Sequence, residues 1–213
     1  MGKNENKKKV PETTISRLFV YLREVTELSK IKIKTISSAE LGERTNLSDA
    51  QVRKDLGYFG QFGVSGSGYS VSGLRDELQK ILGKDKTQKV ALVGVGHLGS
   101  ALLSYSGFSK HRLDIVAAFD TDIRKIGKNL EGVLIQSIQE VAQVIKEKKI
   151  FLAIITVPLG EAQEVADLLV ESGVECILNF APVSLSVSEG VKVKDVDLSR
   201  ELETLSYFLD NGD

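Results

Sequence analysis

An α/β protein in two parts is the fold class the sequence predicts: a winged helix-turn-helix head, then a doubly wound parallel sheet with a last amphipathic helix. Three observations predict it. Apolar residues recur at three and four through the first part of the chain, glycines at 94, 96 and 99 stand at a strand-to-helix junction, and strands alternate with helices beyond them. At 213 residues there is room for two modest domains, and 42% apolar with 27% charged residues is ordinary globular composition. No apolar run approaches the ~20 residues of a membrane helix. The basic N-terminus has no apolar stretch behind it, so no secretory signal is expected. The single cysteine, Cys176, excludes an internal disulfide and fits a reducing cytoplasm; its place in the run Val174 to Leu178 favours a buried, inert thiol.

The net charge of −1 hides an asymmetry: through Lys86, 16 Lys and Arg stand against 11 Asp and Glu, and the remainder has 12 against 18. A basic front joined to an acidic back suits a nucleic-acid-binding module fused to something else, with a solvated surface as the plain alternative. From Thr13, where Thr13 or Thr14 can cap, Ile15, Leu18, Phe19, Leu22, Val25 and Leu28 mark one helix face, with Arg17 off or beside it. Ser37 and Glu40 have capping-box spacing for a short helix, and Ser48 and Gln51 repeat it for another. Two short helices joined by the turn at Asn46-Leu47 predict a helix-turn-helix. In the second of them Val52, Leu56 and Phe59 hold the core. Ser48, Gln51, Arg53 and Lys54 stand near its N-terminal half, where Gln pairs with adenine edges and Arg with guanine or phosphate. The glycine-rich stretch Gly60 to Val71, which contains Gly66 and Tyr69, reads as a tight hairpin, the wing, lying against minor groove or backbone. Ser72 caps a linking helix through Leu82, and the polar stretch after Gly83 sets the domain boundary. The expected domains are 1–86, 87–196 and 197–213.

The junction at 89–102 then carries the chemistry. Gly94 permits a tight turn off the strand, Gly96 lets backbone approach a pyrophosphate, and Gly99 lets the helix pack close to the sheet; Val95, His97 and Leu98 lie between them. Alone the spacing is weak, and it needs a following strand that ends in an acid. Asp114 to Phe119 is that strand and Asp120 that acid, placed to accept from ribose hydroxyls and to repel a 2′-phosphate. Arg124 and Lys125 could still receive such a phosphate. Further strands at Val133 to Ile135, Ile150 to Val157 and Val174 to Leu178, with helices between, complete a Rossmann sheet. Ligands bind outside the C-terminal strand ends, so Thr156, Val157, Pro158, Asn179 and Ala181 are candidate lining on the nicotinamide side. Leu198, Leu202, Leu205, Phe208 and Leu209 form one face of a final helix, introduced by Asp197 or Ser199, which covers its own sheet or docks on a second subunit. No metal site is expected.

These residues resemble the Rex family of bacterial redox-sensing transcriptional repressors. The resemblance runs through Arg17 to Arg23, Ser37 to Leu41, Gln51 to Gly60, Gly94 to Gly99, Ala118 to Asp120, Thr156 to Pro158, Ile177 to Pro182 and Val196 to Leu198. The runs ending at Gly60 and at Pro182 are distinctive, whereas the glycine loop is generic. The resemblance implies a homodimer with a domain-swapped C-terminal helix, which binds palindromic double-stranded operators with NAD⁺ and releases them with NADH. It places Tyr105 near the nicotinamide, with Arg17 and Asp197 in a polar network that changes partners with cofactor redox state, and it adds Tyr58 to the DNA-facing set. Two departures stand out. Val64 and Ser65 occupy wing positions that are usually basic, which is expected to weaken phosphate contacts. His97 stands where Asn is frequent and could donate to the pyrophosphate, titrate near neutrality or face solvent.

A non-catalytic sensor of NADH and NAD⁺ is thus the leading expectation: the sheet domain leaves no room for a substrate domain, and the two histidines, His97 in the loop and His111 just after the first helix, are not placed across a cleft from a nicotinamide. Three alternatives stay open. They are an NAD-dependent oxidoreductase with a basic head, an NAD(H)-binding paralogue with weakened DNA binding, and a site for CoA or another adenine nucleotide.

Overall fold

A computed structural model describes residues 10–60, 62 and 68–211, and the chain divides into two compact units, 1–86 and 87–213. In the first unit, helix α1 (Glu12–Lys30) buries Thr14, Leu18, Tyr21, Val25 and Leu28, a repeat of three and four that keeps one face inward. Pro11 precedes it as N-cap without a side-chain bond, so the helix starts ahead of the two threonines expected to cap it. Thr14 is buried instead, its hydroxyl donating to Asp55. A short strand β1 (Thr35–Ile36) leads into α2 (Ser38–Thr45), which opens with the expected reciprocal box of Ser37 and Glu40. Asn46 closes α2 in the left-handed region at φ 55°. Gly42 lets the chain pass, since a Cβ there would lie 2.5 Å from the Leu47 carbonyl oxygen.

Helix α3 (Asp49–Gly57) is capped by Ser48, which accepts from the Gln51 N–H. The expected reciprocal bond is missing because the Gln51 side chain turns to Asp55. Strand β2 (Tyr69–Ser70) pairs antiparallel with β1, Ile36 opposite Tyr69. Half of the expected hairpin (61 and 63–67) lies outside the described residues, Gly66, Val64 and Ser65 among them. Helix α4 (Val71–Ile81) is capped two residues earlier than expected, because Ser70 rather than Ser72 accepts from the Gly73 N–H. Leu18, Tyr21, Leu41, Val52, Leu56, Leu74 and Leu78 form one core under α1. Each fully buried large side chain contributes about 1.5–3 kcal/mol.

The second unit is built on β3 (Gln88–Val93), α5 (His97–Leu103), α6 (Gly107–Lys110), β4 (Leu113–Asp120), β5 (Asn129–Leu130) and β6 (Val133–Ser137). It continues through α7 (Val141–Lys148), β7 (Leu152–Ile155), α8 (Ala162–Glu171), β8 (Cys176–Asn179), β9 (Lys192–Asp195) and α9 (Leu198–Asn211). The sheet runs β5-β6-β4-β3-β7-β8-β9, parallel at every pairing except β5 with β6. Leaving out β5, the parallel strands lie in the order third, second, first, fourth, fifth, sixth, which is the Rossmann order. Both faces are covered. Ala91, Val93 and Ile155 pack with Val141, Ile145 and Ala166 on one side, and Val90, Leu92 and Ile154 pack with Leu102 and Phe108 on the other. The alternation along β3 is the period of two that puts successive side chains on opposite faces.

Strands β5 and β9 were not anticipated. They are short polar edge pieces, and Lys192 and Lys194 on β9 are exposed, the kind of charge that blunts a sheet edge. Cys176 is half-buried within β8, and burial first, then Glu175, pushes its thiol above the ordinary value. No helix of the described residues is long and apolar enough to cross a membrane.

Candidate functional site

The order of the sheet reverses between β3 and β7, and there the strand ends part to leave a crevice of about 420 Å³. Its floor is the glycine turn. Gly94 sits at φ +95° with its N–H on the Phe119 carbonyl at 2.8 Å, and a Cβ there would lie 2.8 Å from the Thr156 carbonyl oxygen. A Cβ at Gly99 would overlap the Gly94 carbonyl oxygen. Gly96 lines the crevice, and a Cβ there meets nothing within 4 Å, so this is the face left open for a ligand. The loop is strapped from the next strand: Thr156 Oγ1 donates to the carbonyls of Gly94 at 2.6 Å and Val93 at 3.1 Å.

Asp120 ends β4 at the same crevice and is 8% exposed. Its Oδ2 accepts from the Val95 N–H at 2.8 Å and from Lys125 Nζ at 2.9 Å, and its Oδ1 from the Asp122 N–H at 2.8 Å. Burial pushes its pKa up, but the Asp122 N–H, Lys125 and the Val95 N–H outweigh it, so the carboxyl is held below its usual range. With about four lone-pair sites on a carboxylate, three such bonds leave about one for a ribose hydroxyl. Arg124 is engaged as well, pairing with Asp122, whose carboxyl its guanidinium and N–H hold well below the usual range. Both cations that could have received a 2′-phosphate therefore already hold carboxylates.

Of the predicted cofactor residues, Gly94, Gly96, Asp120, Thr156, Val157 and Pro158 line this crevice. Val95 and Gly99 are buried beneath it, whereas His97 and Leu98 are exposed at the start of α5. Asn179 is a different case. It is fully buried, its amide donating to the carbonyls of Ala181 and Val183 and to Asp195, and its oxygen accepting from the Ala181 N–H. Its side chain thus shapes the loop after β8, and Asn179 is not among the residues that line the crevice. Unanticipated lining comes from Thr121, Asp122, Lys125, Ile138, Glu161 and Val165. All of them follow the C-terminal ends of β4, β6 or β7, so strand ends alone would have pointed to them.

Tyr105 lies just past α5, 60% exposed, with its ring edge-on to Phe108 at 5.1 Å. It rests on Gly107, where a Cβ would overlap the ring. Asp197 caps α9, accepting from the N–H groups of Ser199 at 3.0 Å and Arg200 at 3.1 Å. Leu202, Leu205, Phe208 and Leu209 on that helix are exposed. Among the described residues, no group of His, Cys, Asp and Glu is arranged to hold a metal ion.

In the first unit α3 shows two characters. Ser48, Arg53 and Lys54 are exposed, and Arg53 donates to Asp49 at 2.7 Å and to Ser38 at 3.2 Å. Tyr58 and Tyr69 are half-buried. The inward face carries Asp55, wholly buried, which the sequence reading passed over. It accepts from Arg17 Nε at 2.6 Å and Nη2 at 2.8 Å, Thr14 Oγ1 at 3.1 Å, Tyr21 Oη at 2.9 Å and Gln51 Nε2 at 2.8 Å. Burial works against ionisation, yet Arg17, Tyr21, Gln51 and Thr14 together hold the carboxyl below its ordinary value. Burial, then Asp55 itself, raises the Tyr21 hydroxyl far above its own. A signal existed in the sequence: Asp55 falls in register with Val52, Leu56 and Phe59, on the face meant for the core.

Two family models match the chain: "CoA binding domain" over residues 85–183 and "Putative DNA-binding protein N-terminus" over residues 9–57. A redox-sensing transcriptional repressor Rex from Desulforamulus reducens is 44% identical over 201 residues, 94% of this chain and 96% of its own. The chain belongs to the Rex family. The Rex protein of Desulfitobacterium hafniense is 46% identical over 199 residues, covering 93% and 95%. Among solved structures, the Rex-family repressor RSP in complex with β-NAD⁺ and operator DNA matches with a TM-score of 0.91 at 39% identity, over 95% of this chain and 93% of that one. RSP in complex with β-NADH matches at 0.83 and 37% identity, over 96% of each.

Proposed function

We propose that this Rex-family chain is a DNA-binding repressor that reads the NADH/NAD⁺ ratio, holding palindromic operators with NAD⁺ and releasing them with NADH. One observation carries the reading: a glycine turn and a carboxylate at the switch point of a Rossmann sheet share a chain with a helix-turn-helix whose α3 keeps its polar face exposed. RSP, a relative in fold and sequence, has been solved with β-NAD⁺ and operator DNA and with β-NADH.

The residues fit the dinucleotide. Gly96 leaves its Cβ direction open toward the crevice, as a pyrophosphate requires, and Asp120 is held ionised with about one acceptor site to spare for the adenosine ribose. Thr156 to Pro158 form the nicotinamide side, with Tyr105 approaching the ring. When bound, the cofactor supplies a ring that is cationic as NAD⁺ and neutral and puckered as NADH. A polar group at that ring converts the difference into free energy, about 1.4 kcal/mol per tenfold preference. Ser48, Gln51, Arg53 and Lys54 face DNA, flanked by Tyr58 and the wing around Gly66 and Tyr69. The exposed apolar stripe of α9 favours a homodimer in which that helix packs on the other subunit.

The chain acts without turnover in this reading, since sensing requires only unequal affinity for two ligand states. Operator binding at one salt concentration, first with NAD⁺ and then with NADH, tests it; equal binding in the two would sink it. Calorimetry with NADH, NADPH and CoA side by side tests the crevice. NADH is expected to bind tightest, because Lys125 and Arg124 are already neutralised by Asp120 and Asp122.

A further inference from the structure

Among the described residues of the first unit, Asp55 is the one charged side chain that is fully buried. Its donors come from two helices. Thr14, Arg17 and Tyr21 reach it from α1, and Gln51 reaches it from one turn earlier on α3. Only Arg17 brings a positive charge. The Arg17 side chain is still 25% exposed, whereas the Asp55 carboxylate that it grips is not exposed at all. Gln51 is tied more subtly. An ionised carboxylate only accepts, so the Gln51 amide must turn its Nε2 inward, which directs its Oε1 away from Asp55.

We propose that Asp55 is a positioning residue that carries the state of Arg17 to Gln51, and so to the DNA-facing end of α3. The inference rests on the reading that Arg17 changes partners with cofactor redox state. While Arg17 holds Asp55, α1 and α3 are latched and the Gln51 amide has one orientation. When Arg17 pairs elsewhere, the Asp55 charge stays buried against three neutral donors, a state far costlier than the paired one. Relief comes in two ways. Either α3 reseats to let water reach the carboxylate, or the carboxyl takes up a proton and presents an O–H where it had presented only acceptors. Both change what Gln51 Nε2 meets, and with it the amide that α3 offers to a base edge.

The test uses the full chain, an operator duplex and a scrambled duplex at one salt concentration, with NAD⁺ and with NADH. Asp55→Asn is expected to leave NADH affinity and scrambled-duplex binding within about twofold of the parent protein, while the NAD⁺-to-NADH ratio of operator affinities falls about tenfold toward one. A merely structural Asp55 would weaken operator binding equally in both cofactors and leave that ratio intact, which overturns the proposal. A parent protein without any ratio takes the redox reading down together with the inference, and is told apart because it needs no variant. Should Asp55→Asn not fold, amide hydrogen exchange on the parent protein decides. Protection of residues 49–57 is expected to differ between NAD⁺ and NADH with residues 71–81 unchanged, and identical protection of 49–57 overturns the proposal.

Discussion

Asp55 and Asp120 are both buried carboxylates held below their ordinary pKa, yet they are built in opposite ways. Asp120 takes two of its three bonds from backbone N–H groups in loops at the ends of β3 and β4, with Lys125 completing the set. Its partners are local to the strand ends, and one side stays open to a crevice. Asp55 accepts from side chains, most of them across from another helix, and is sealed. The first arrangement receives a ligand without moving, because backbone donors cannot be withdrawn. The second has Arg17 as its one charged partner, so loss of that side chain leaves a buried charge held by neutral donors alone.

That contrast sets the order of the expected effects. Arg17→Ala leaves Asp55 uncompensated and is expected to cost about 3 kcal/mol in the urea transition of the first unit, with NADH still bound by the second. Its counterpart Lys125→Ala is expected to cost under about 1 kcal/mol, since the backbone donors remain and the lysine is partly exposed. Equal losses would break the distinction. Gly94→Ala forces a Cβ onto φ +95° and the Thr156 carbonyl, about 1–3 kcal/mol of strain that should appear as lost stability and lost NADH binding together. Gly96→Ala, where nothing lies within 4 Å of the Cβ, should lower NADH affinity in calorimetry with the melting temperature unchanged.

Acid should sharpen the comparison at a smaller scale. Both carboxylates have folded pKa values below the ~3.9 of an unfolded Asp. Their stabilisation is therefore complete above about pH 5 and is lost as pH falls through 3.9 toward the folded value. Urea midpoints at pH 6 and pH 3.5 should converge for each unit when its own Asp is replaced by Asn, and only for that unit. The smallest effect concerns Tyr105. Gly107→Ala lifts the ring from its seat and should reduce NADH-over-NAD⁺ discrimination severalfold in operator release, with operator affinity in NAD⁺ retained.

The Rossmann sheet was legible because its signals are local. A glycine turn, an acid closing the next strand and apolar runs of strand length each occupy consecutive residues, and the handedness of parallel connections then restricts how they assemble. The capping box at Ser37 was legible for the same reason. At Ser48 the box failed, because the Gln51 amide turns inward to donate its Nε2–H to Asp55 instead of offering its Oε1 to the Ser48 N–H. Asn179 was legible only as a strand-end position; that its amide would be held by Asp195, on an unanticipated edge strand, was not.

By itself, then, the sequence determined the main helices and the central strands, the glycine turn and its acid, the two-part organisation and the family. What only the tertiary structure decided is where the polar side chains spend their hydrogen bonds. Periodicity places a residue on a face, but whether a carboxylate there becomes a ligand site or a latch depends on donors 34 to 41 residues away, brought together only by packing.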